Sequence, residues 1–340
     1  MTIEEGEFLM QYSSTNKYRV GITSDVLMSN GQPIFGDKAL EILNRPDIEW
    51  EYMKPSSVIG PDEVYQYDAI CAMLTRFTPD SLGPNPPRLK IIARFGVGYD
   101  TIDIPTCQKA GIYLSIAPDG VRRPVAVSAI TYLLMLSQKV WFKDKLTRAG
   151  RWKEKSDHIG TGLTNRVLGS LGVGNIGSEI FKLAKPFDMQ FIAHDPFVDP
   201  HKMAELGVRL VDLETLFESA DFVTINCPLN NKTQGLVNAQ LIGMMKPSAY
   251  LINTARGPIV DERALYLALK NKKIAGAGLD VFEIEPIASD NPLLQLDNVI
   301  VTPHGICFTD QCMEGLAQSA FRSVVDVMEG RKPLYEVTST

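Results

Sequence analysis

The stretch Val167–Pro196, VLGSLGVGNIGSEIFKLAKPFDMQFIAHDP, decides the fold of this chain. It begins with a short apolar run, turns through three spaced glycines, continues at helical spacing and ends in a second apolar run followed by Asp195. Strand, glycine turn, helix, strand and acid follow one another in the order that a dinucleotide-binding unit requires. The sequence therefore predicts such a unit here. The alternative is an ordinary βαβ crossover whose glycines serve only the packing.

The three glycines and the acid of this stretch have separate tasks. Gly172 permits the tight turn, Gly174 lets a pyrophosphate approach the backbone, and Gly177 lets helix and strand pack closely. The beginning of the helix offers free N–H groups and the positive end of its dipole to the phosphates. Asp195, 18 residues after Gly177, is placed to accept hydrogen bonds from a ribose diol and would repel a 2′-phosphate. Since Pro196–Pro200 contains no Arg or Lys, NAD is favoured over NADP.

Length, composition and charge restrict the class of protein. A chain of 340 residues with 45% hydrophobic and 22% charged residues has room for two soluble globular domains. Its net charge of −6 argues against a nucleic-acid partner, and the five cysteines include no CxxC pair that would suggest a disulfide framework or a metal site. No apolar run approaches the length of about 20 residues that spans a bilayer. We expect a cytoplasmic protein without a membrane partner, in which residues 1–16 form a flexible tail and not a signal peptide.

The rest of the chain alternates between strand-like and helix-like segments in two successive series. This alternation predicts the α/β class, with two Rossmann-like, doubly wound parallel-sheet domains and a cleft between them. A helix is expected at Lys38–Asn44, and a long amphipathic helix, Pro124–Leu146, with Pro124 in its first turn, leads from one domain to the other. The final helix, Asp310–Glu329, is expected to return to the first domain. The predicted domains are a discontinuous, flavodoxin-like substrate domain, 17–121 plus 306–335, and a dinucleotide-binding Rossmann domain, 122–305.

Chemically active side chains follow the strands of the second domain. Ligands of open parallel sheets bind beyond the carboxyl ends of the strands, so these side chains are expected to meet at one edge of the sheet. The residues that follow three of these strands are Arg256, Glu283, Glu285 and His304.

This group suits hydride transfer between a 2-hydroxy acid and a 2-keto acid. His304 can take the proton of the alcohol and return it in the reverse direction. A carboxylate beside the imidazole would fix its tautomer and stabilise its protonated form, and periodicity does not separate Glu285 from Glu283 in this role. Arg256 can hold a substrate carboxylate with two hydrogen bonds and polarise the reacting carbonyl.

Three strings of this sequence resemble the D-isomer-specific 2-hydroxyacid dehydrogenases. They are NTARG at Asn253–Gly257, GLDVFEIEP at Gly278–Pro286 and TPH at Thr302–His304. The likeness extends from about Tyr18 to Pro333. It implies an NAD-dependent enzyme that interconverts a D-2-hydroxy acid and its 2-keto acid and that assembles as a homodimer.

The resemblance also assigns residues. The catalytic Arg, Glu and His of the family fall on Arg256, Glu285 and His304, which favours Glu285 over Glu283 as the partner of the histidine. The loop Phe95–Gly98 matches the substrate loop of the family. The cofactor contacts that the resemblance implies fall on Gly172, Gly174, Asn175, Ile176, Gly177, Asp195, Cys227, Pro228, Thr233, Thr254, Ala255 and Asp280.

The identity of the substrate stays open. The resemblance implies that the N–H groups of Val97 and Gly98, with Gly96 beside them, hold the substrate carboxylate. Arg94 corresponds to a position that contacts a distal anionic group in some relatives. The alternatives are therefore a substrate with a second anion, like phosphoglycerate, and hydroxypyruvate or glyoxylate. The other basic residues that could reach the cleft, or could serve only the surface and the packing, are Arg76, Arg122 and Arg123.

Two other functions stay open at this point. Corepressors of the C-terminal-binding-protein type use the same fold and the same three residues, and NAD(H) controls their assembly with partners. We expect an enzyme instead, because the chain has no long disordered C-terminal tail. Oxidation of another small anion, such as formate or phosphite, would need a smaller pocket. The chain departs from the family pattern at Val127, at Gly305 and at 306–308, where the side group of the substrate and the nicotinamide should lie, and this weakens any transfer of substrate identity.

Overall fold

The computed structural model describes residues 17–338, which fold as two compact units. One unit consists of residues 17–117 and 316–338, and the other consists of residues 118–315. Each unit has its own parallel sheet, which confirms the predicted α/β class with two parallel-sheet domains. The predicted flexible tail, residues 1–16, lies outside the described residues.

The sheet of the first unit has five parallel strands, β1 (Tyr18–Ile22), β2 (Ile48–Tyr52), β3 (Ala69–Ala72), β4 (Ile91–Arg94) and β5 (Tyr113–Ser115). They lie in the order β2-β1-β3-β4-β5. Every residue of β3 and β4 is buried, as in parallel sheets that are covered on both faces. Two short helices, α1 (Pro61–Gln66) and α2 (Ile104–Lys109), belong to this unit. The helix predicted at Lys38–Asn44 is a 3₁₀ helix at Lys38–Ile42.

The second unit contains the switch point at which ligands of open α/β sheets bind. Its strands are β6 (Val167–Leu171), β7 (Gln190–His194), β8 (Val208–Leu210), β9 (Phe222–Ile225), β10 (Tyr250–Asn253), β11 (Gly276–Leu279) and β12 (Val299–Val301). They lie in the order β12-β11-β10-β9-β6-β7-β8, so β6 has β7 on one side and β9 on the other. The predicted glycine turn follows β6 directly and therefore lies at this switch point.

The boundaries between the two units differ from the predicted domain boundaries at both ends of the second unit. The units divide after residues 117 and 315, whereas the predicted boundaries lie after 121 and 305. The second unit contains all of α3, Pro118–Ser137, and the first six residues of α10, Asp310–Met328. The remaining helices are α3 (Pro118–Ser137), α4 (Val140–Arg148), α5 (Asn175–Ala184), α6 (Pro200–Glu205), α7 (Leu213–Ser219), α8 (Ala239–Met244), α9 (Glu262–Lys270) and α10 (Asp310–Met328).

The prediction of one helix at Pro124–Leu146 is wrong, because α3 and α4 are separate helices with a bend of 56° between them. Lys139, between the two helices, adopts a left-handed conformation with φ 52°. The amide of Thr161 donates a hydrogen bond to the carbonyl oxygen of Ser137, the last residue of α3, at 2.7 Å. Pro124 lies inside α3 and not in its first turn. Within residues 17–338, no single helix combines the length and apolarity that crossing a bilayer requires, and only α3 and α4 taken together pass both tests.

A buried carboxylate ties the beginning of β6 to its neighbours, and its removal should destabilise the protein. Asp221 accepts a hydrogen bond from the amide of Val167 at 2.8 Å and pairs with Lys246 at 3.2 Å. We expect Asp221→Ala to lower the free energy of unfolding by about 2 kcal/mol, because the amide of Val167 and the half-buried ammonium group of Lys246 lose their acceptor. Urea denaturation measures this change. Asp297, which is 74% exposed and pairs with Lys145, is the control, and an equal loss in Asp297→Ala would contradict the account.

Candidate active site

The glycine turn after β6 packs tightly at its two ends. Gly172 has φ 90°, and a Cβ atom there would lie 2.8 Å from the amide nitrogen of Cys227. A Cβ atom on Gly177 would lie 2.6 Å from the carbonyl oxygen of Gly172. Both glycines are thus required by the fold itself, one for a left-handed turn and one for the close approach of α5 to the strand.

The middle glycine of the turn is different. Gly174 has an ordinary φ of −66°, and no heavy atom of the described residues beyond its chain neighbours lies within 4 Å of the place where its Cβ atom would be. The protein therefore does not need a glycine there for its own packing. The space opens at the beginning of α5, where the first N–H groups of a helix have no acceptor within the helix. A pyrophosphate fits this space and these donors.

Asp195 is fixed in place at the end of β7. Its carboxylate accepts hydrogen bonds from the amide of Val173 at 2.8 Å and from the amide of Phe197 at 3.0 Å. These bonds tie the acid to the glycine turn, which is the arrangement that a ribose next to the pyrophosphate requires. The residues present therefore fit a dinucleotide whose ribose is held by a carboxylate.

The other predicted cofactor residues follow β9, β10 and β11, at the same edge of the sheet. Thr233 donates to the carbonyl oxygen of Pro228 at 2.6 Å and so closes the loop after β9. Burial raises the pKa of the Cys227 thiol to about 11, which keeps this side chain neutral. The hydroxyl of Thr254 is buried and has no hydrogen-bond partner among residues 17–338. A buried hydroxyl without a partner is costly, and a bound polar group would satisfy it.

The imidazole of His304 lies against Glu285. The Nδ1 atom of His304 is 2.7 Å from Oε2 of Glu285, while Oε1 of Glu285 accepts a hydrogen bond from the amide of Phe282 at 2.9 Å. Burial raises the pKa of Glu285, but the hydrogen bonds from His304 and Phe282 outweigh burial, so the net pKa is lowered. Glu283 instead accepts a hydrogen bond from the amide of Glu262 at 3.0 Å. The structure thus pairs the histidine with Glu285 and not with Glu283.

Arg256 is placed by a close contact between two loops. A Cβ atom on Gly257 would lie 1.9 Å from the backbone of Phe282, so the loop after β10 touches the loop after β11 backbone to backbone. The side chain of Asn253 accepts from the amide of Ala255 at 3.0 Å and donates to the carbonyl oxygen of Arg256 at 3.0 Å. These contacts hold Arg256 close enough to Glu285 for its charge to lower the pKa of that carboxyl.

The backbone of His304 is held by Asp280, a role that the sequence did not indicate. His304 has φ 49°, which is uncommon for a residue with a side chain. Its amide donates to the carbonyl oxygen of Asp280 at 2.8 Å, and the next two amides, of Gly305 and Ile306, donate to the carboxylate of Asp280 at 2.9 and 3.1 Å. Burial raises the pKa of Asp280, although these hydrogen bonds and that of Thr302 act in the opposite direction.

Two further residues of this network were missed. In the sequence, Thr302 stands out only as part of the TPH string, and Tyr132 has no assigned role within the helix predicted at Pro124–Leu146. In the structure the hydroxyl groups of Tyr132 and Thr302 are hydrogen-bonded to each other. The signal that could have drawn attention to Tyr132 is a phenol among aliphatic residues on a buried helix, since a buried tyrosine hydroxyl usually finds a partner.

The predicted substrate residues lie in the first unit. Arg94 is 4% exposed, and its Nε atom donates to the carbonyl oxygen of Gly98 at 3.1 Å. The carbonyl oxygen of Gly96 accepts from the amide of Ala117 at 2.8 Å. The loop that contains Val97 is thus held on both sides, and Arg94 is part of its support.

The other basic residues divide into two kinds. Arg123, on α3, pairs with Glu179 of α5 at 2.7 Å. Glu179 is buried, so Arg123 serves to neutralise it within the second unit. Arg76 and Arg122 are exposed.

Comparison with known proteins identifies relatives for most of the chain. Residues 130–305 match the family model of the NAD-binding domain of D-isomer-specific 2-hydroxyacid dehydrogenases. The chain is 34% identical to a glyoxylate reductase from Thermococcus litoralis over 314 residues, which are 91% of this chain and 95% of that protein. It is 37% identical over 268 residues to a D-3-phosphoglycerate dehydrogenase from Archaeoglobus fulgidus, covering 79% of this chain but only 51% of that protein.

A solved structure of another protein is similar to this one over nearly the whole length of the chain. The D-lactate dehydrogenase from Aquifex aeolicus, complexed with NAD and lactic acid, is similar with a TM-score of 0.82 at 28% identity. The match covers 94% of this chain and 99% of that chain.

The open space at Gly174 leads to a test that separates binding from folding. We expect Gly174→Ala to leave the melting temperature unchanged, because its Cβ atom meets no protein atom, but to weaken NADH binding about tenfold or more, equivalent to about 1.4 kcal/mol. The matched variant Gly177→Ala should lower the melting temperature, because its Cβ atom would strike a carbonyl oxygen. Fluorescence titration with NADH and thermal unfolding measure both. Unchanged NADH affinity in Gly174→Ala would contradict the proposed position of the pyrophosphate.

Proposed function

Since the chain belongs to the D-isomer-specific 2-hydroxyacid dehydrogenase family and is an NAD-dependent enzyme of that class, we propose that His304, Glu285 and Arg256 form its reacting centre. The observation that carries this proposal is the contact of 2.7 Å between His304 and Glu285 at the sheet edge that also carries the glycine turn. The charge of Arg256 is close enough to act on the same glutamate.

Each of the three residues has one task in this proposal. When it is bound, NADH supplies the hydride that reduces the carbonyl carbon. The Nδ1 atom of His304 is engaged by Glu285, which leaves Nε2 to give a proton to the carbonyl oxygen, and to take it back in the reverse reaction. Glu285 fixes the tautomer of the ring and stabilises its protonated form. Arg256 binds the carboxylate of the substrate and polarises the reacting carbonyl.

A small 2-keto acid with one carboxylate is the substrate that we favour. Two of the four basic residues considered for a second anion have partners within the protein, since Arg123 pairs with Glu179 and Arg94 donates to the carbonyl oxygen of Gly98. Each of these two guanidinium groups therefore already bonds to protein atoms and is not fully available to a second anion of the substrate. The backbone amides of Val97 and Gly98 are proposed to bind the substrate carboxylate. Glyoxylate and hydroxypyruvate fit this description better than a phosphorylated acid.

A homodimer is the assembly that we propose. Several large apolar side chains of α4 and of the segment that follows it are exposed, and exposed apolar side chains of this size are common at interfaces between subunits. These residues are Val140, Trp141, Trp152 and Ile159.

The pairing of His304 with Glu285 predicts a shift in the pH dependence of reduction. Reduction consumes the proton of the ring, so activity falls as the pH rises. Because the lowered pKa of Glu285 keeps it ionised, its charge stabilises the protonated ring, and Glu285→Gln should move the alkaline fall of kcat/KM to lower pH. We also expect kcat to fall by about a hundredfold, the usual size of a general acid–base contribution.

The controls for this test are His304→Ala and Glu283→Gln. His304→Ala should abolish turnover of glyoxylate and hydroxypyruvate while NADH still binds. Glu283→Gln should leave the position of the alkaline limb unchanged, because Glu283 is bonded to Glu262. A profile that does not move in Glu285→Gln, or that moves equally in Glu283→Gln, would show that Glu285 does not act through the imidazole.

Asp195 is proposed to select NADH over NADPH. Its carboxylate is fixed by two amides and cannot turn away from a 2′-phosphate. We expect Asp195→Ala to raise the ratio of kcat/KM for NADPH to that for NADH about tenfold, because removal of like charge is worth roughly this much. Steady-state kinetics with both cofactors measure the ratio. Asp199→Ala, in the same loop, is the matched control, and wild-type enzyme that uses both cofactors equally would refute this role.

A further inference from the structure

Tyr132 lies behind the site that has been described. Its side chain, on α3, is completely buried. The ring packs on Gly278 of β11 so closely that a Cβ atom there would lie 2.6 Å from Cδ1 of the ring. This position brings the phenol hydroxyl to the hydroxyl of Thr302, with which it is hydrogen-bonded.

The direction of these hydrogen bonds follows from the acceptor at their end. The hydroxyl of Thr302 lies 2.5 Å from Oδ1 of Asp280. An ionised carboxylate only accepts, so Thr302 donates to Asp280 and must itself accept from Tyr132. Donors in such a chain polarise one another, which strengthens the last bond of the chain.

The chain of hydroxyl groups ends on the turn that carries His304. The same Oδ1 atom of Asp280 that accepts from Thr302 also accepts from the amides of Gly305 and Ile306, at 2.9 and 3.1 Å. The backbone carbonyl oxygen of Asp280 accepts from the amide of His304 at 2.8 Å. Asp280 thus holds the backbone of His304 through its carbonyl oxygen and the next two residues through its carboxylate.

We propose that Tyr132 is a positioning residue for His304 and acts through Thr302 and Asp280. Tyr132 does not touch the substrate in this proposal. Its hydroxyl keeps the carboxylate of Asp280 ionised and oriented, and Asp280 keeps His304 in its left-handed conformation. The effect on catalysis rests on the proposed function of His304, whereas the effect on the turn does not.

Titratable groups from two segments of the chain face the carboxylate of Asp280. Tyr132 faces it from α3, and His304 and Cys307 face it from the segment after β12. Burial already raises the pKa of Asp280. Thr302→Val removes a donor to the anionic form of Asp280, and Tyr132→Phe weakens that donor, so both should raise this pKa further. The turn should then loosen, and activity should fall, on the acid side of the pH range.

The test compares Tyr132→Phe, which removes only the hydroxyl, with Tyr250→Phe, which removes the hydroxyl of another buried tyrosine of the same unit. Thr302→Val, which breaks the chain at its middle, is the second variant. Hydrogen–deuterium exchange of the peptide that contains residues 302–308 is measured in protein without cofactor. The kcat and KM for glyoxylate and hydroxypyruvate are then measured over a range of pH.

We expect faster exchange in this peptide for Tyr132→Phe and Thr302→Val and unchanged exchange for Tyr250→Phe. We expect kcat to fall about tenfold in the first two variants, roughly the effect of one lost hydrogen bond, with KM little changed. The acid limb of the pH profile should move to higher pH in both.

Two results would overturn the proposal. One is exchange and a pH profile in Tyr132→Phe that equal those of Tyr250→Phe. The other is faster exchange throughout the second unit, which would mean that the hydroxyl serves only general stability. If the wild-type protein turns over no 2-keto acid, the proposed function fails, but the exchange measurement still decides whether Tyr132 holds the turn.

Discussion

The carboxylate of Asp280 is the acceptor on which the arrangement of the site depends. It is buried at the end of β11 and accepts hydrogen bonds from Thr302, Gly305 and Ile306. An isolated buried charge would destabilise the fold, so the anion and its donors require each other. Between these contacts lies His304, in a conformation that persists only where the surroundings hold it. The position of the imidazole is therefore a consequence of how one buried acid is satisfied.

Much of the fold could be predicted because its elements carry local signals. The final helix, predicted at Asp310–Glu329, is observed at Asp310–Met328, because its helical spacing ends just before Gly330, which has a positive φ of 78°. The break between α3 and α4 could not be predicted. It depends on the amide of Thr161 reaching the carbonyl of Ser137, a contact that only the folded chain creates.

The candidate site, like the fold, could be predicted only in part. The strand order brings the predicted residues to one edge, but two acids at neighbouring positions satisfy the same pattern, and only the fold directs Glu285 to His304 and Glu283 to Glu262. The phenol of Tyr132 indicates that its hydroxyl needs a partner, but the sequence around it does not show which residue that partner is. The partner of Tyr132 is Thr302, which is far from it in sequence but is hydrogen-bonded to it in the folded protein.

The most direct test of the account is the configuration of the product. The protein should oxidise NADH in the presence of hydroxypyruvate or pyruvate, and the glycerate or lactate that forms should be the D-isomer, as determined with a chiral column. This result would support hydride delivery to one face of a carbonyl held by Arg256 and protonated by His304. Formation of the L-isomer, or no turnover with any small 2-keto acid in spite of tight NADH binding, would contradict the proposed reacting centre.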